Sequence, residues 1–415
     1  MATVLVVGTC DTKGREVEFV AERVSAAGAE PLVIDIGVLE PLARAAPPRP
    51  DVTAAEVARS GGRELAELRT GGEAAGARAA ALDVMRRGLE QVVRQLHEQG
   101  RCDAVVGLGG SSGTGVITAA MRALPVGVPR VMVSTMASGD VSPYVGTSDI
   151  CLMYSVTDIA GLNRISRAVL ANAAHAAAGM ALNRGSATPA ADESPLVGIT
   201  MFGVTTPCVL RVQRALEERG FETAVFHATG AGGRCLEQLV ENGVVQAVVD
   251  LTTSELTDEL VGGVLSAGPH RLEAAGRRGI PQVVVPGALE IVNWGPEDTV
   301  PQRFRVPERR FHVHNPTVTA MRTTSEESRE LGTIFAAKIS AASGPTVVLL
   351  PLRGLSAFDA PGQPFEDPEA DTALFDAIRA GIRDGIQLRE IDAEINAPEF
   401  ADAVVAAFDD VWARR

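Results

Sequence analysis

The sequence predicts an α/β protein of two related Rossmann-like modules with mainly parallel sheets, and three observations carry that prediction. At 415 residues the chain exceeds one ordinary core, and chains of this length divide into domains. Its composition is 46% hydrophobic but only 4% aromatic, with Ala, Val and Gly plentiful, which suits close helices on strands buried on both faces. The second half also repeats the plan of the first.

The repeat is legible in order. Residues 4–37 read as strand, turn, amphipathic helix, Gly28 and strand, and residues 196–230 do the same around Gly220. Ala104 to Ser111 then corresponds to Ala247 to Ser254, Val128 to Val133 to Ile280 to Val285, and Tyr154 to Arg164 to Val313 to Thr323. Four matches in one order point to an internal duplication of a βαβ unit. The small, polar, Pro-bearing stretch Asn183 to Pro195 has linker chemistry. The expected organisation is a nucleotide-binding module over 1–182, a linker over 183–195 and a second α/β module with a substrate site over 196–415. An inserted segment near 38–86, with Pro47-Pro48-Arg49-Pro50 and Gly71-Gly72, reads equally as a lid, an oligomer contact or a surface excursion.

Charge and cysteine usage narrow the class. A formal net charge of -14 argues against a nucleic-acid partner, whose affinity rests on clustered Lys and Arg. It leaves room for a small anion held by backbone amides. The five cysteines are scattered without a Cys-x-x-Cys pair and read as reduced thiols. No apolar run approaches a membrane span, and the chain opens on the strand Val4 to Val7 without a basic n-region. A cytoplasmic protein with no membrane partner is expected.

In such folds ligands lie beyond the carboxyl ends of the strands. The strongest local signal there is Gly109-Gly110-Ser111-Ser112-Gly113-Thr114-Gly115, between the apolar run 104–108 and an amphipathic helix. Glycines let the backbone approach a phosphate, hydroxyls donate to it, and the helix N-terminus supplies orphan amides and partial positive charge. No Gly-Lys-Ser/Thr closes the loop, so it is not a Walker A motif. A tight turn would use glycine for geometry alone, but four glycines exceed what a turn demands. On the same edge, Thr9, Asp11, Thr12 and Lys13 follow the first strand. Lys13 can meet a phosphate, and Asp11 can hold a Mg²⁺ on it or orient a hydroxyl. Asp35 ends the second strand where dinucleotide folds place a ribose-binding carboxylate. Ser138, Gly139 and Asp140 follow a further strand and are assigned to the same pocket.

The second module concentrates histidines. His227, His312 and His314 fall at or near strand ends, and His312 and His314 alternate along a strand, which puts their rings on one face. With Glu290 they form either a metal site or an acid–base constellation, and the residues leave both open. Asn293, Asn315, Arg322 and Thr323 share these turns, where an Arg suits a carboxylate or phosphate. Ser356 lacks a Gly-x-Ser-x-Gly elbow and reads as a turn residue.

Gly8-Thr9-Cys10-Asp11-Thr12-Lys13, the glycine loop, Ser138-Gly139-Asp140, Phe226 to Gly230, Ser266 to Pro269 and His312 to Pro316 together resemble the Tm-one-like ATP-binding family. That is an otherwise uncharacterised protein family related to a plant tobamovirus-resistance protein. The resemblance runs through nearly the whole chain. It implies an ATP-binding first module, a two-domain α/β fold and homo-oligomers, but no antiviral action. This chain departs from the family in having Glu290 where the family favours Asp. Two functions follow as expectations. One is an ATP-binding protein whose phosphates lie on the loop 109–115. The other is an enzyme acting on a small carboxylate- or phosphate-bearing substrate with the His and Glu of the second module.

Overall fold

Short Val- and Leu-rich runs buried on both faces set the two main sheets, because each strand carries apolar side chains above and below the plane. The structure, a computed structural model, describes residues 1–39, 49–70, 75–184 and 194–415. The chain divides into two units, Met1–Asp192 and Glu193–Arg415.

In the first unit β1 (Thr3–Gly8), β2 (Glu30–Asp35), β3 (Ala104–Gly109), β4 (Arg130–Ser134) and β5 (Cys151–Tyr154) form a parallel sheet in the order β2-β1-β3-β4-β5. Alternate residues of β1 serve different cores. Val4 and Val6 pack with the helices Cys10–Ala26 and Arg164–Leu182, whereas Leu5 and Val7 pack with Ala75–Glu98 and Ser111–Arg122. The register places Gly8 beside Asp35 and Gly109 beside Ser134, so the loops after these strands start level. The chain reverses direction across the sheet between β1 and β3, and that switch point is where doubly wound folds bind ligands.

Within the extra segment near 38–86, residues 40–48 and 71–74 lie outside the described residues, among them Pro47-Pro48 and Gly71-Gly72. The rest is packed, not a loose excursion. A capping box between Thr53 and Glu56 starts the helix Ala54–Ser60, whose Ala54, Val57 and Ala58 join the core of Met85 and Leu89. A Cβ on Gly88 would lie 1.9 Å from the Val57 carbonyl, so glycine there permits the helix crossing.

In the second unit β6 (Leu196–Met201), β7 (Glu222–His227), β8 (Ala247–Thr252), β9 (Gln282–Gly287), β13 (Thr346–Pro351) and β14 (Gln387–Ile391) are parallel in the order β14-β13-β9-β8-β6-β7. Counted within the unit, this is again 2-1-3-4-5, with a sixth strand at the edge. Between β9 and β13 the chain makes an antiparallel sheet of β10 (Ile291–Trp294), β12 (Val318–Arg322) and β11 (Phe311–Asn315). That excursion breaks one expected match. Val313 to Thr323 spans the β11–β12 hairpin, whereas Tyr154 ends a parallel strand and leads to the helix Arg164–Leu182. The fifth parallel strand of the second unit is β13. Among the described residues no helix is long and apolar enough to cross a membrane, and all five cysteines are free thiols.

Candidate functional site

At the carboxyl edge of the first sheet, the helix Ser111–Arg122 begins on Gly110, an N-cap without a side chain to offer. Among the described residues, the amides of Ser111, Ser112 and Gly113 have no protein acceptor, and neither do the hydroxyls of Ser111 and Ser112. Three bare amides at a helix start form a concentrated donor set for an anion. Thr114 has a structural role: its hydroxyl is buried against Ser134 Oγ at 2.7 Å. The glycines separate in the same way. A Cβ on Gly109 would lie 3.0 Å from Gly113 Cα, so packing demands that glycine. A Cβ on Gly110 would come no nearer than 3.9 Å to Thr135 Oγ1, and one on Gly113 or Gly115 would meet nothing within 4 Å. Gly110 has φ -80°, which any residue adopts. Neither space nor backbone explains these three glycines, although glycine inside a helix costs about 0.5–1 kcal/mol against alanine.

The first loop is more self-contained than its sequence suggests. Thr9 precedes the helix Cys10–Ala26 without capping it, and its hydroxyl meets Thr12 Oγ1 at 3.0 Å. Lys13 donates from its ammonium to the Ile159 carbonyl at 2.8 Å. Asp11 accepts the Leu39 amide at 2.8 Å and the Thr12 hydroxyl at 3.2 Å, so both its oxygens already order the edge. Asp35 Oδ1 accepts the amides of Cys10 (2.9 Å) and Gly37 (2.8 Å). Burial raises its pKa against the pull of those amides, and Asp11 adds to the rise. Burial and Asp35 push the Cys10 thiol upward as well, which favours its protonated form. Ser138, Gly139 and Asp140 are exposed after β4, with Asp140 accepting the Ser142 amide at 3.0 Å. The bare amides and hydroxyls of 110–113 fit a phosphate. Among the described residues no three or more His, Cys, Asp or Glu stand where they could share a metal ion.

The second unit fills its own edge. Arg271 is fully buried, gives its fork to Asp250 (2.6 and 2.7 Å) and its Nε to Glu255 at 2.6 Å. The other oxygen of Glu255 accepts the amides of Gly230 (2.6 Å) and Gly233 (3.0 Å), where the helix Ala231–Glu241 begins. A carboxylate of the chain thus takes the place an outside anion would take. Asp250 also accepts the Thr200 hydroxyl at 2.7 Å, and Thr205 and Thr252 pair at 2.8 Å.

The four residues proposed as one catalytic constellation are placed differently. His227 is exposed, with its ring centroid 5.5 Å from that of Phe202. His312 is half-buried at 4.5 Å from Phe358, and His314 is exposed. The shared face expected for His312 and His314 is lost, because the register shifts between Val313 and Asn315, and a bulge interrupts the alternation. No hydrogen bond, ion pair or ring contact joins any two of the four.

Glu290 stands apart from the histidines and is the chemically unusual member. It follows β9 through Ala288, which holds a left-handed φ of 56°. Its carboxyl is buried and neither oxygen meets a hydrogen-bond partner of good geometry. Burial pushes it up to about 7, against the pull of Arg322 and of a poorly aligned Ser356 hydroxyl. Asp359 is pushed to about 9 by burial and by Glu290, and Asp371 to about 6 by burial. Arg322 is not open to a substrate anion: it binds Asp371 (2.5 Å), Asp359 (3.3 Å), the Phe365 carbonyl (2.9 Å) and the Thr323 hydroxyl (2.8 Å). Asn293 is likewise occupied, giving its amide and side chain to Asp258, both at 2.8 Å. Sequence reasoning passed over Ser254, whose hydroxyl is buried without a partner after β8. The available signal was the repeat itself, which sets Ser254 opposite Ser111.

These features define a two-unit, doubly wound α/β protein with one bare helix terminus in its first unit and one bare carboxyl in its second. The N-terminal and C-terminal domains of Uncharacterised protein family (UPF0261) match residues 2–186 and 194–412, and the chain belongs to that family. It is 46% identical over 402 residues to a UPF0261 protein of Clostridium tetani, covering 97% of this chain and 96% of that one. It is 42% identical over 344 residues to the ToMV resistance protein Tm-1(GCR237) of Solanum lycopersicum, covering 82% of this chain and 45% of that one. It is also 42% identical over 336 residues to the ToMV susceptible protein tm-1(GCR26), covering 80% and 44%. Among solved structures, the UDP-N-acetylglucosamine 2-epimerase of Rickettsia bellii covers 64% of this chain and 78% of its own at 11% identity, with a TM-score of 0.22. That likeness is too slight to carry an argument.

Proposed function

We propose that the first unit binds a nucleotide, with its phosphates on the amides of Ser111, Ser112 and Gly113. ATP is the nucleotide that the resemblance implies. One observation carries the reading. Gly110, Gly113 and Gly115 are required by neither packing nor backbone conformation, yet they clear the approach to an uncapped helix N-terminus beside the switch point. Ser111 and Ser112 would add hydroxyl donors, and Asp35, at the end of β2, would face the ribose. The test is a thermal shift with ATP, with and without Mg²⁺. A ligand at about a hundred times its dissociation constant stabilises the folded state by about 2.7 kcal/mol. A double Gly110→Val, Gly113→Val variant folds, since both Cβ positions are open, and loses the shift. Normal binding by that variant would reduce the loop to a turn.

The second reading, an enzyme acting on a small substrate, rests on Glu290, whose buried proton is poised near neutrality. Activity that survives Glu290→Gln would remove it. The shared strand order supports an origin by internal duplication. A cytoplasmic homo-oligomer is the remaining part of the proposal, and light scattering on the purified protein tests the assembly. The names of the tomato relatives carry no antiviral role here, because resistance and susceptible proteins match equally well.

A further inference from the structure

Beyond the nucleotide reading, we propose that the second unit holds a separate buried site for a small neutral polyol, with Ser254 and Glu290 as its hydrogen-bonding floor. β8, β9 and β13 are consecutive in the sheet, and the loop after each brings buried polar residues, among them Ser254, Glu290 and Ser356. The loops are stitched together at this level. Thr253 donates its amide to the Gly287 carbonyl (3.0 Å), Thr257 its hydroxyl to the Leu289 carbonyl (2.8 Å), and Ala288 its amide to the Leu355 carbonyl (2.9 Å). Among these, the Ser254 hydroxyl is buried without a partner, and the Glu290 carboxyl makes no well-formed hydrogen bond, feeling the nearby Ser356 hydroxyl and the charge of Arg322. Buried polar groups are almost always paired, so an unpaired hydroxyl and an under-satisfied carboxyl after adjacent strands suit a ligand that donates and accepts hydrogen bonds.

Charge decides the ligand class. On one side Arg271 answers three carboxylates, Asp250, Glu255 and Glu237. On the other, Arg322 is the cation for Glu290, Asp359 and Asp371. Both guanidiniums are engaged, so a carboxylate or phosphate would find no free cation. A hydroxyl group needs none. It donates to Glu290 when that carboxyl is ionised and accepts from it when protonated. The side toward β11 is apolar: Ala288 and Ile291, which bracket Glu290, pack with Ala320 and Phe365, and Phe358 lies between that cluster and the His312 ring. The carbon skeleton of a polyol suits such a wall.

Saturation-transfer NMR on the full chain at pH 7 tests this, with erythritol as the probe and erythronate as its carboxylate analogue. Erythritol should bind in the millimolar range, and erythronate at least about tenfold more weakly. Ser254→Ala and Glu290→Gln should each weaken erythritol by a similar factor, with rescue by Ser254→Thr. Ser254→Ala removes a hydroxyl that no protein group holds, so its melting temperature should not fall, which separates lost binding from lost folding. The Gly110→Val, Gly113→Val variant should bind erythritol normally, so this proposal and the nucleotide reading fail separately. Absence of erythritol binding, tighter erythronate binding, or unchanged binding in Ser254→Ala would each overturn the proposal.

Discussion

The two parallel sheets share a strand order but treat the helix starts after β3 and β7, which hold different places in the repeat, in opposite ways. In the first unit the helix after β3 starts on glycine and leaves three amides bare. In the second, Glu255 supplies a carboxylate to the start of the helix after β7, and Arg271 holds it there. Both solutions answer the same physical demand, since the first N–H groups of a helix have no partner inside it. An edge that carries its own counter-charge answers its amides within the chain, whereas an edge that omits it leaves them to solvent or a ligand. In the second unit the buried polar atoms without a protein partner are elsewhere, Ser254 Oγ among them.

The largest effect that would break this comparison is at Arg271. Changing Arg271→Met leaves Asp250 and Glu255 buried without their cation, and losing one partner of a buried pair costs about 3–5 kcal/mol. Urea denaturation should show a lower midpoint, and Arg271→Lys should not restore it, because an ammonium cannot reproduce the fork to Asp250. A stable Arg271→Met protein would mean that the second edge does not depend on its internal charges.

A second effect is a pH dependence concentrated in the second unit, although Asp35 of the first unit is also shifted upward by burial. Glu290, Asp359 and Asp371 have folded values of about 7, 9 and 6, above the roughly 4 of unfolded carboxyls. The folded unit therefore binds protons that the unfolded chain releases. Their contribution to stability is fully present below about pH 4 and is lost as pH rises to about 9. Glu327 and Glu273 are shifted downward, so their contributions change only below neutrality. Between about pH 6 and 9 the melting temperature should fall with rising pH, and Asp359→Asn should flatten the slope. A flat wild-type profile would contradict the cluster.

How much of this was legible follows from what each feature depends on. The strands of both sheets were readable because doubly buried strands are continuous apolar runs, as in Ala104 to Leu108 and Val283 to Val285. The glycine loop was readable because its signal is local. The Arg271 network was not, since Asp250, Glu255 and Arg271 come from separate loops and no spacing rule joins them. The antiparallel excursion was missed because the β11–β12 segment has the rhythm of a strand but not its direction. The pairing of His312 with His314 failed for a smaller reason, one bulged residue that period-two reasoning does not contain. Nor does the motif around Lys13 announce that its ammonium meets a carbonyl 146 positions later.

The finest test converts one edge into the other. Gly110→Asp would place a carboxylate at the N-cap of Ser111–Arg122, as Glu255 does for Ala231–Glu241. The substitution is sterically open: φ is -80°, and the nearest atom to a Cβ is Thr135 Oγ1 at 3.9 Å. Aspartate is a better N-cap than glycine by only a few tenths of a kcal/mol, and a negative charge at a helix start adds about 0.3–1 kcal/mol. The ligand-free protein should therefore melt slightly higher than wild type, by a degree or two on the usual scaling for a protein of this size. Nucleotide should then have to displace a tethered carboxylate and overcome its charge, so the thermal shift with ATP should collapse although no ligand contact was sterically blocked. Gly110→Ser is the control, because it caps without charge and should keep more of the shift. If Gly110→Asp stabilises the protein and still binds ATP as wild type does, the bare amides are not where the phosphates lie. Were it to destabilise the protein, the terminus would already be filled in solution, and the contrast between the two edges would be lost.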